Sequence, residues 1–140
     1  IINRFYDKLE AADDFYCGVM VSIAGFMSSP FFSVYAATKA ALKVFIESVN
    51  VELLKNGSTN RILNVSPGSL KGTSFNNGRT DLAALAPMAQ AIIGEMEKKN
   101  DLFIPQYDEI FKKVLERYHA DFRKEGAHSY DYKVSSGRTS

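Results

Sequence analysis

Tyr35 and Lys39 stand four residues apart, and Ser22 lies thirteen residues before the tyrosine. On a helix, side chains at i and i+4 share one face about one turn apart, so a phenol and an ammonium in this spacing can act together. A tyrosine phenol titrates near pH 10, too high for an efficient proton donor or acceptor at neutral pH. A neighbouring cation stabilises the phenolate and lowers that value, each unit corresponding to about 1.4 kcal/mol. A serine hydroxyl at the same place is suited to orient a substrate carbonyl and to stabilise developing alkoxide charge. Three groups converging on one oxygen would form a proton-transfer site. Taken alone, Tyr-x-x-x-Lys carries little weight, because such pairs occur on many helices as ordinary surface groups.

Convergence requires a strand that ends at Ser22 and a helix that starts near Tyr35. Gly18 opens Val19-Met20-Val21-Ser22-Ile23, a run of mostly β-branched and apolar residues that predicts a buried parallel strand. A loop with Gly25, Ser28, Ser29 and Pro30 follows. Tyr35 to Leu54 then predicts a helix whose apolar face runs through Ala37, Ala41, Val44, Phe45, Val49 and Leu53. Asn56-Gly57 is expected to end it, because glycine tolerates the left-handed conformation common at helix C-termini. Arg61 to Ser66 predicts a second strand that stops at Pro67-Gly68. Strand, helix and strand within about 50 residues imply a right-handed parallel crossover, with ligands at the carboxyl ends of the strands.

Outside this unit, Ile2, Phe5, Leu9 and Ala12 have helical spacing, so residues 1–15 are expected to be the tail of an amphipathic helix. Residues 71–81 are rich in Gly, Ser, Thr and Asn and read as a loop suited to a lid, ahead of a weaker helical pattern over 82–99. Residues 101–105 predict one more short strand. A helix over 107–122 is expected to bury Ile110, Val114, Leu115, Tyr118 and Phe122, and the polar tail beyond it to be irregular.

Composition narrows the function class. The 140 residues, 46% hydrophobic and 24% charged, suit one ordinary globular domain. Seventeen basic and sixteen acidic residues leave a net charge of +1, so no overall field favours nucleic acid or an anionic membrane, and a small neutral substrate is compatible. Apolar stretches are interrupted within about a dozen residues, short of the ~20 that span a bilayer. The lone Cys17 allows no internal disulfide, reads as a buried spectator thiol, and suits a reducing, cytoplasmic setting. The first residue is Ile, with no basic region and apolar core behind it, so the chain is expected to begin in mid-fold. His119 and His128 lack metal-ligand spacing and read as solvated or capping groups, so no metal site is expected. Lys112 and Lys113 read as a solvated helix face. Phe26, Met27, Phe31 and Phe32 are candidates for pocket or core, and Phe75, Leu82, Met88 and Met96 are candidates either to close over that pocket or, as helical apolar stripes more often are, to be plain core.

The ordered set Ser22-Ile23-Ala24-Gly25, Tyr35-Ala36-Ala37-Thr38-Lys39-Ala40-Ala41-Leu42 and Asn64-Val65-Ser66-Pro67-Gly68 resembles the short-chain dehydrogenase/reductase family over about residues 18–75. The resemblance implies an α/β fold, the C-terminal part of a Rossmann-like doubly wound parallel sheet with flanking helices. Residues 1–140 would then be a partial, catalytic domain, with a substrate loop and helix at 76–100 and a C-terminal extension at 101–140. It also implies hydride transfer between NAD or NADP and a small carbonyl or secondary alcohol. Tyr35 would be the general acid/base, Lys39 would assist it and hold the nicotinamide ribose, and Ser22 would position the substrate oxygen. Pro67, Gly68 and Leu70 match the turn that passes along the nicotinamide. Thr73 matches the hydroxyl that follows, one place late because of Lys71-Gly72.

Two departures stand against the family pattern. The glycine-rich turn that brings backbone amides to the dinucleotide phosphates occurs nowhere in the 140 residues. Asn3, 19 residues before Ser22, is too close to match the relay asparagine and reads as a surface polar group. Catalysis by these 140 residues alone is therefore not expected. Other readings are an epimerase or dehydratase with the same tyrosine and lysine, and a non-catalytic binding or self-association module. Family members associate through the helix that begins at the tyrosine, so a homo-oligomer, dimer or tetramer, is expected, with Glu47 and Val51 near the contact.

Overall fold

In the computed structural model, residues 2–70, 72–73 and 79–139 are described; Lys71, Phe75 and the Asn3 side chain lie outside them. Strands β1 (Cys17–Met20), β2 (Ile62–Val65) and β3 (Leu102–Phe103) form one parallel sheet in that order. Cys17 is registered with Ile62, Met20 with Val65, and Asn64 with Leu102. Helix α2 (Ser33–Lys55) crosses from β1 to β2, and α3 (Leu82–Glu97) from β2 to β3. All four residues of the central strand β2 are buried, as its near-continuous apolar sequence requires. Side chains alternate between the faces of a sheet, and here each face has its helix. Cys17, Val19 and Val21 pack with Ile46, Val49 and Leu53 of α2. On the other face Gly18 lies under α3, so close that a Cβ there would stand 2.9 Å from Met96 Sδ. The chain is thus α/β, a parallel sheet flanked by helices, as anticipated.

The N-terminal helix is shorter than its periodicity suggests. A 3-10 turn over Ile2–Phe5 leads into α1 (Tyr6–Glu10), and the chain turns extended at Ala11. Asn60, fully buried, captures this stretch: its amide donates to the carbonyls of Leu9, Ala11 and Asp13, and its oxygen accepts from the Phe15 N–H at 2.9 Å and Lys99 Nζ at 2.9 Å. Carbonyls that would accept within a longer helix are held by a residue 45 or more positions away. Periodicity carries no trace of such a partner.

Helix α2 has the expected place, and its left-handed Gly57 (φ 78°) follows the terminus as anticipated. Its buried face differs. Ala36, Ile46, Val49, Asn50 and Leu53 are buried, whereas Ala37, Ala41, Val44 and Phe45 are exposed. Asn50 explains the rotation. Its amide donates to the Ile62 carbonyl at 2.9 Å, and its oxygen accepts from the Ile62 N–H at 2.8 Å, so a polar side chain pins α2 to the start of β2.

The C-terminal expectation is also corrected. In place of one helix over 107–122 and an irregular tail, there is a π turn over Tyr107–Phe111, then α4 (Lys112–Ala120) and α5 (Phe122–Ser135). Asp121 breaks the run: its backbone is extended, and its carboxylate accepts from the N–H groups of Arg123 and Lys124, capping α5. Arg117 then bridges the corner to the buried Glu125 through two bonds, 2.7 and 2.9 Å. That guanidinium holds the Glu125 carboxyl below its usual range. Leu115 is buried as expected, whereas Ile110 and Phe122 are exposed. His119, His128, Lys112 and Lys113 are exposed, in line with solvated roles. Cys17 is half-buried, and burial pushes its thiol up from the ordinary range. Among the described residues no helix is long and apolar enough to cross a membrane.

Candidate active site

Hydrogen bonding continues beyond the last residue of β1 and sets the site. The Val21 N–H donates to the Val65 carbonyl at 2.8 Å, and the Ile23 N–H donates to the Pro67 carbonyl at 3.0 Å. Ser22, between them, lies where the first strand leaves the sheet, and the Pro67-Gly68 turn lies beside it across this bond. Ser22 Oγ accepts from the Ala24 N–H at 3.1 Å as the chain enters a 3-10 turn over Ile23–Gly25. A hydroxyl that accepts here can still donate its proton elsewhere.

Gly25 brings that turn against α2. A Cβ at this position would stand 2.9 Å from the Lys39 backbone carbon and oxygen. Helix backbone cannot yield as a side-chain tip can, so Gly25→Ala is expected to cost about 2 kcal/mol through overpacking. A fall in the urea midpoint without a change in slope checks this.

Tyr35 and Lys39 occupy the first turns of α2. Lys39 Nζ donates to the Met20 carbonyl at 3.0 Å and lies 5.6 Å from the centre of the Tyr35 ring. The helix pair is thereby tied to the end of β1, two residues before Ser22, and Tyr35 remains 38% exposed. Lys39, with Tyr35 beside it, thus stands at the carboxyl end of β1, two residues before Ser22, with Pro67 and Gly68 at the carboxyl end of β2.

Beyond the turn, Thr73 Oγ1 donates to the Leu70 carbonyl at 2.9 Å, so this hydroxyl closes its own turn. Upstream, Ser66 Oγ donates to Asn64 Oδ1 at 2.7 Å, a buried pair that stiffens the end of β2. Phe111 covers Gly68: its ring tip would lie 2.6 Å from a Cβ there, so any larger residue would have to displace the ring. Sequence reasoning missed Phe111, because a π turn does not follow the 3.6-residue period. The left-handed Gln106 (φ 58°) that opens this turn has no signature of its own.

The loop aromatics divide. Phe26 and Met27 line a cleft of about 370 Å³ with Ala36, Ala40 and Tyr118. That cleft lies on a different flank of α2 from Tyr35 and Lys39, since successive helix residues are turned by about 100°. Phe31 and Phe32 instead meet α5, stacking on Tyr130 and lying beneath Lys133. Of the residues expected to close over the site, Leu82 is exposed, Met88 is half-buried, and Met96 packs on Gly18.

Residues 19–83 match the family model for short chain dehydrogenase. No curated protein matches the chain. A solved structure from Novosphingobium aromaticivorans, provisionally named a short-chain dehydrogenase, superposes with a TM-score of 0.55 at 18% identity, over 99% of this chain and 52% of that one. The chain spans about half the length of that solved structure. In sequence over residues 19–83, and in fold over nearly its whole length, the chain is therefore similar to short-chain dehydrogenases, a family of oxidoreductases.

Proposed function

We propose that the chain is the catalytic, C-terminal part of an NAD(P)-dependent oxidoreductase that interconverts a carbonyl and a secondary alcohol. The observation that carries this reading is the bond from Lys39 Nζ to the Met20 carbonyl, which draws the Tyr35–Lys39 face of α2 to the strand end bearing Ser22. Strand carboxyl ends are where parallel α/β sheets bind ligands.

The residues present fit the nicotinamide end of the cofactor. The Pro67-Gly68 turn, tied to Ile23 and backed by the Phe111 ring on Gly68, lies at the end of β2, the Lys39 ammonium lies at the end of the neighbouring β1, and with the backbone around Leu70 these are the groups that would meet the nicotinamide. Residues for the phosphate end are not in this sequence. When bound, the nicotinamide supplies or accepts the hydride. Tyr35 Oη gives a proton to the substrate oxygen in reduction and takes it in oxidation. Lys39 places positive charge beside the phenol and holds the ribose hydroxyls, while Ser22 Oγ orients the carbonyl. Thr73 is the remaining contact in this reading, secondary because its hydroxyl is engaged by Leu70.

Isotope transfer tests the reaction class. The longest natural chain containing these residues is supplied with reduced nicotinamide deuterated at the transferring carbon and with aldehydes and ketones. Deuterium in the product alcohol is expected. Turnover without label in the product would overturn the reading in favour of an epimerase or dehydratase, and the absence of both turnover and cofactor binding would favour a binding module.

The exposed stripe of α2, through Val34, Ala37, Ala41, Val44 and Val51, is where we place a homo-oligomer contact. A two-fold contact repeats any substitution on both sides, so Val44→Glu brings two carboxylates together. It is expected to weaken association at least tenfold by sedimentation velocity. An unchanged mass would remove this face as the interface.

A further inference from the structure

The loop over residues 26–32 joins Ser22 to α2 and has no regular structure of its own. It is also strained. Phe31 has φ 69°, a left-handed conformation that a bulky residue holds only where its surroundings over-determine it. Those surroundings come from α5, more than 90 residues along the chain. The Tyr130 ring stacks on Phe31 with centres 4.7 Å apart. Lys133 Nζ donates to Ser29 Oγ at 2.7 Å and to the Pro30 carbonyl at 2.9 Å, and lies 5.2 Å from the centre of the Phe32 ring. Gly126 completes the contact: a Cβ there would stand 3.4 Å from Ser28 Oγ. Burial pulls the Lys133 ammonium below its ordinary range, as befits a charge committed to this loop in place of water.

We infer that α5 is a strap that sets the conformation of the loop between Ser22 and Tyr35, with Lys133 as its positioning residue. Residues 122–135 then govern how the serine and the tyrosine face one another. Their bearing on catalysis rests on the hydride-transfer reading, but the strap itself can be measured without turnover.

Amide hydrogen exchange on the longest natural chain containing these residues, followed by NMR, provides the test. The Phe32 N–H, bonded to the Ser29 carbonyl at 3.0 Å, reports on the loop, and the Glu125 N–H, bonded to the Asp121 carbonyl at 3.1 Å, reports on α5. Lys133→Met keeps the length and apolar stem of the side chain but removes its donors, whereas Lys133→Arg keeps donors. Exchange at Phe32 is expected to rise about tenfold in the methionine variant and to stay within about threefold of the parent in the arginine variant, with Glu125 unchanged in both. Stem packing alone would leave the methionine variant at the parental rate. Equal Phe32 exchange in parent and methionine variant, or an equal rise in both variants, overturns the proposal. Should α5 itself loosen in the methionine variant, Tyr130→Ala decides: a slow Phe32 amide there also overturns it. Absence of label transfer to product would sink the dehydrogenase reading while leaving this exchange pattern as it is.

Discussion

Tyr35→Phe is expected to lower kcat for carbonyl reduction by about a hundredfold to ten-thousandfold, the usual contribution of a positioned acid or base. The ring stays and only the hydroxyl goes. At 38% exposure the side chain lies partly in solvent, so the urea midpoint should stay close to the parent's. Lys39 Nζ bonds to Met20 rather than to the phenol, and α2 should therefore remain docked to β1. The measurement is kcat and KM for the best carbonyl substrate in the longest natural chain containing these residues. A fall confined to kcat marks an interaction made in the transition state. Unchanged turnover would remove Tyr35 as the proton donor and with it the proposed reaction.

The largest loss of stability is expected at Asn60, far from this chemistry. Asn60→Ala removes three donated and two accepted bonds at a fully buried position and takes this partner from the Phe15 N–H and from the Ala11 and Asp13 carbonyls, while the Leu9 carbonyl keeps Ser58 Oγ at 2.6 Å. Neutral bonds contribute about 0.5–1.5 kcal/mol each and one to a charged group about 1.5–3, so a loss of about 3–4 kcal/mol is expected after partial re-solvation. Urea unfolding of the longest natural chain containing these residues checks the value. A loss below about 1 kcal/mol would show that water replaces the side chain at little cost. Asn60→Asp keeps the acceptor for Phe15 and Lys99 and should fall between the two.

Much of the site's scaffold was legible in advance. Ser22 was expected at a strand end, Tyr35 and Lys39 at a helix start, and Pro67-Gly68 after the next strand; the elements appear in that order. These features follow from alternation, helical period and turn residues, all of which act within a few positions. Long-range polar contacts were not legible. Asn50 and Asn60 each bond backbone more than ten positions away, and those bonds rotate α2 and stop α1. Hydropathy marks both as surface residues, whereas burial with every amide group partnered makes them organisers of the fold.

The C-terminal region shows the same division. Asp121 has the residue type of a helix cap, yet a continuous apolar period ran across it and concealed the break between α4 and α5. Nothing local indicates that Lys133 and Tyr130 reach back to residues 29–31, because that contact depends on how two helices fold over a loop more than 90 residues away.

The strand–helix–strand unit, and the pattern that makes Ser22, Tyr35 and Lys39 candidates for proton transfer, are both readable from the residues alone. Residue type and short-range spacing suffice for both. Folding in three dimensions adds which face of α2 is buried, that Gly25 must lack a Cβ beneath Lys39, that Phe111 covers Gly68, and that Lys133 and Tyr130 of α5 meet the loop between serine and tyrosine. Each of these is a contact between distant segments, set by close packing and by the need to pair buried polar groups.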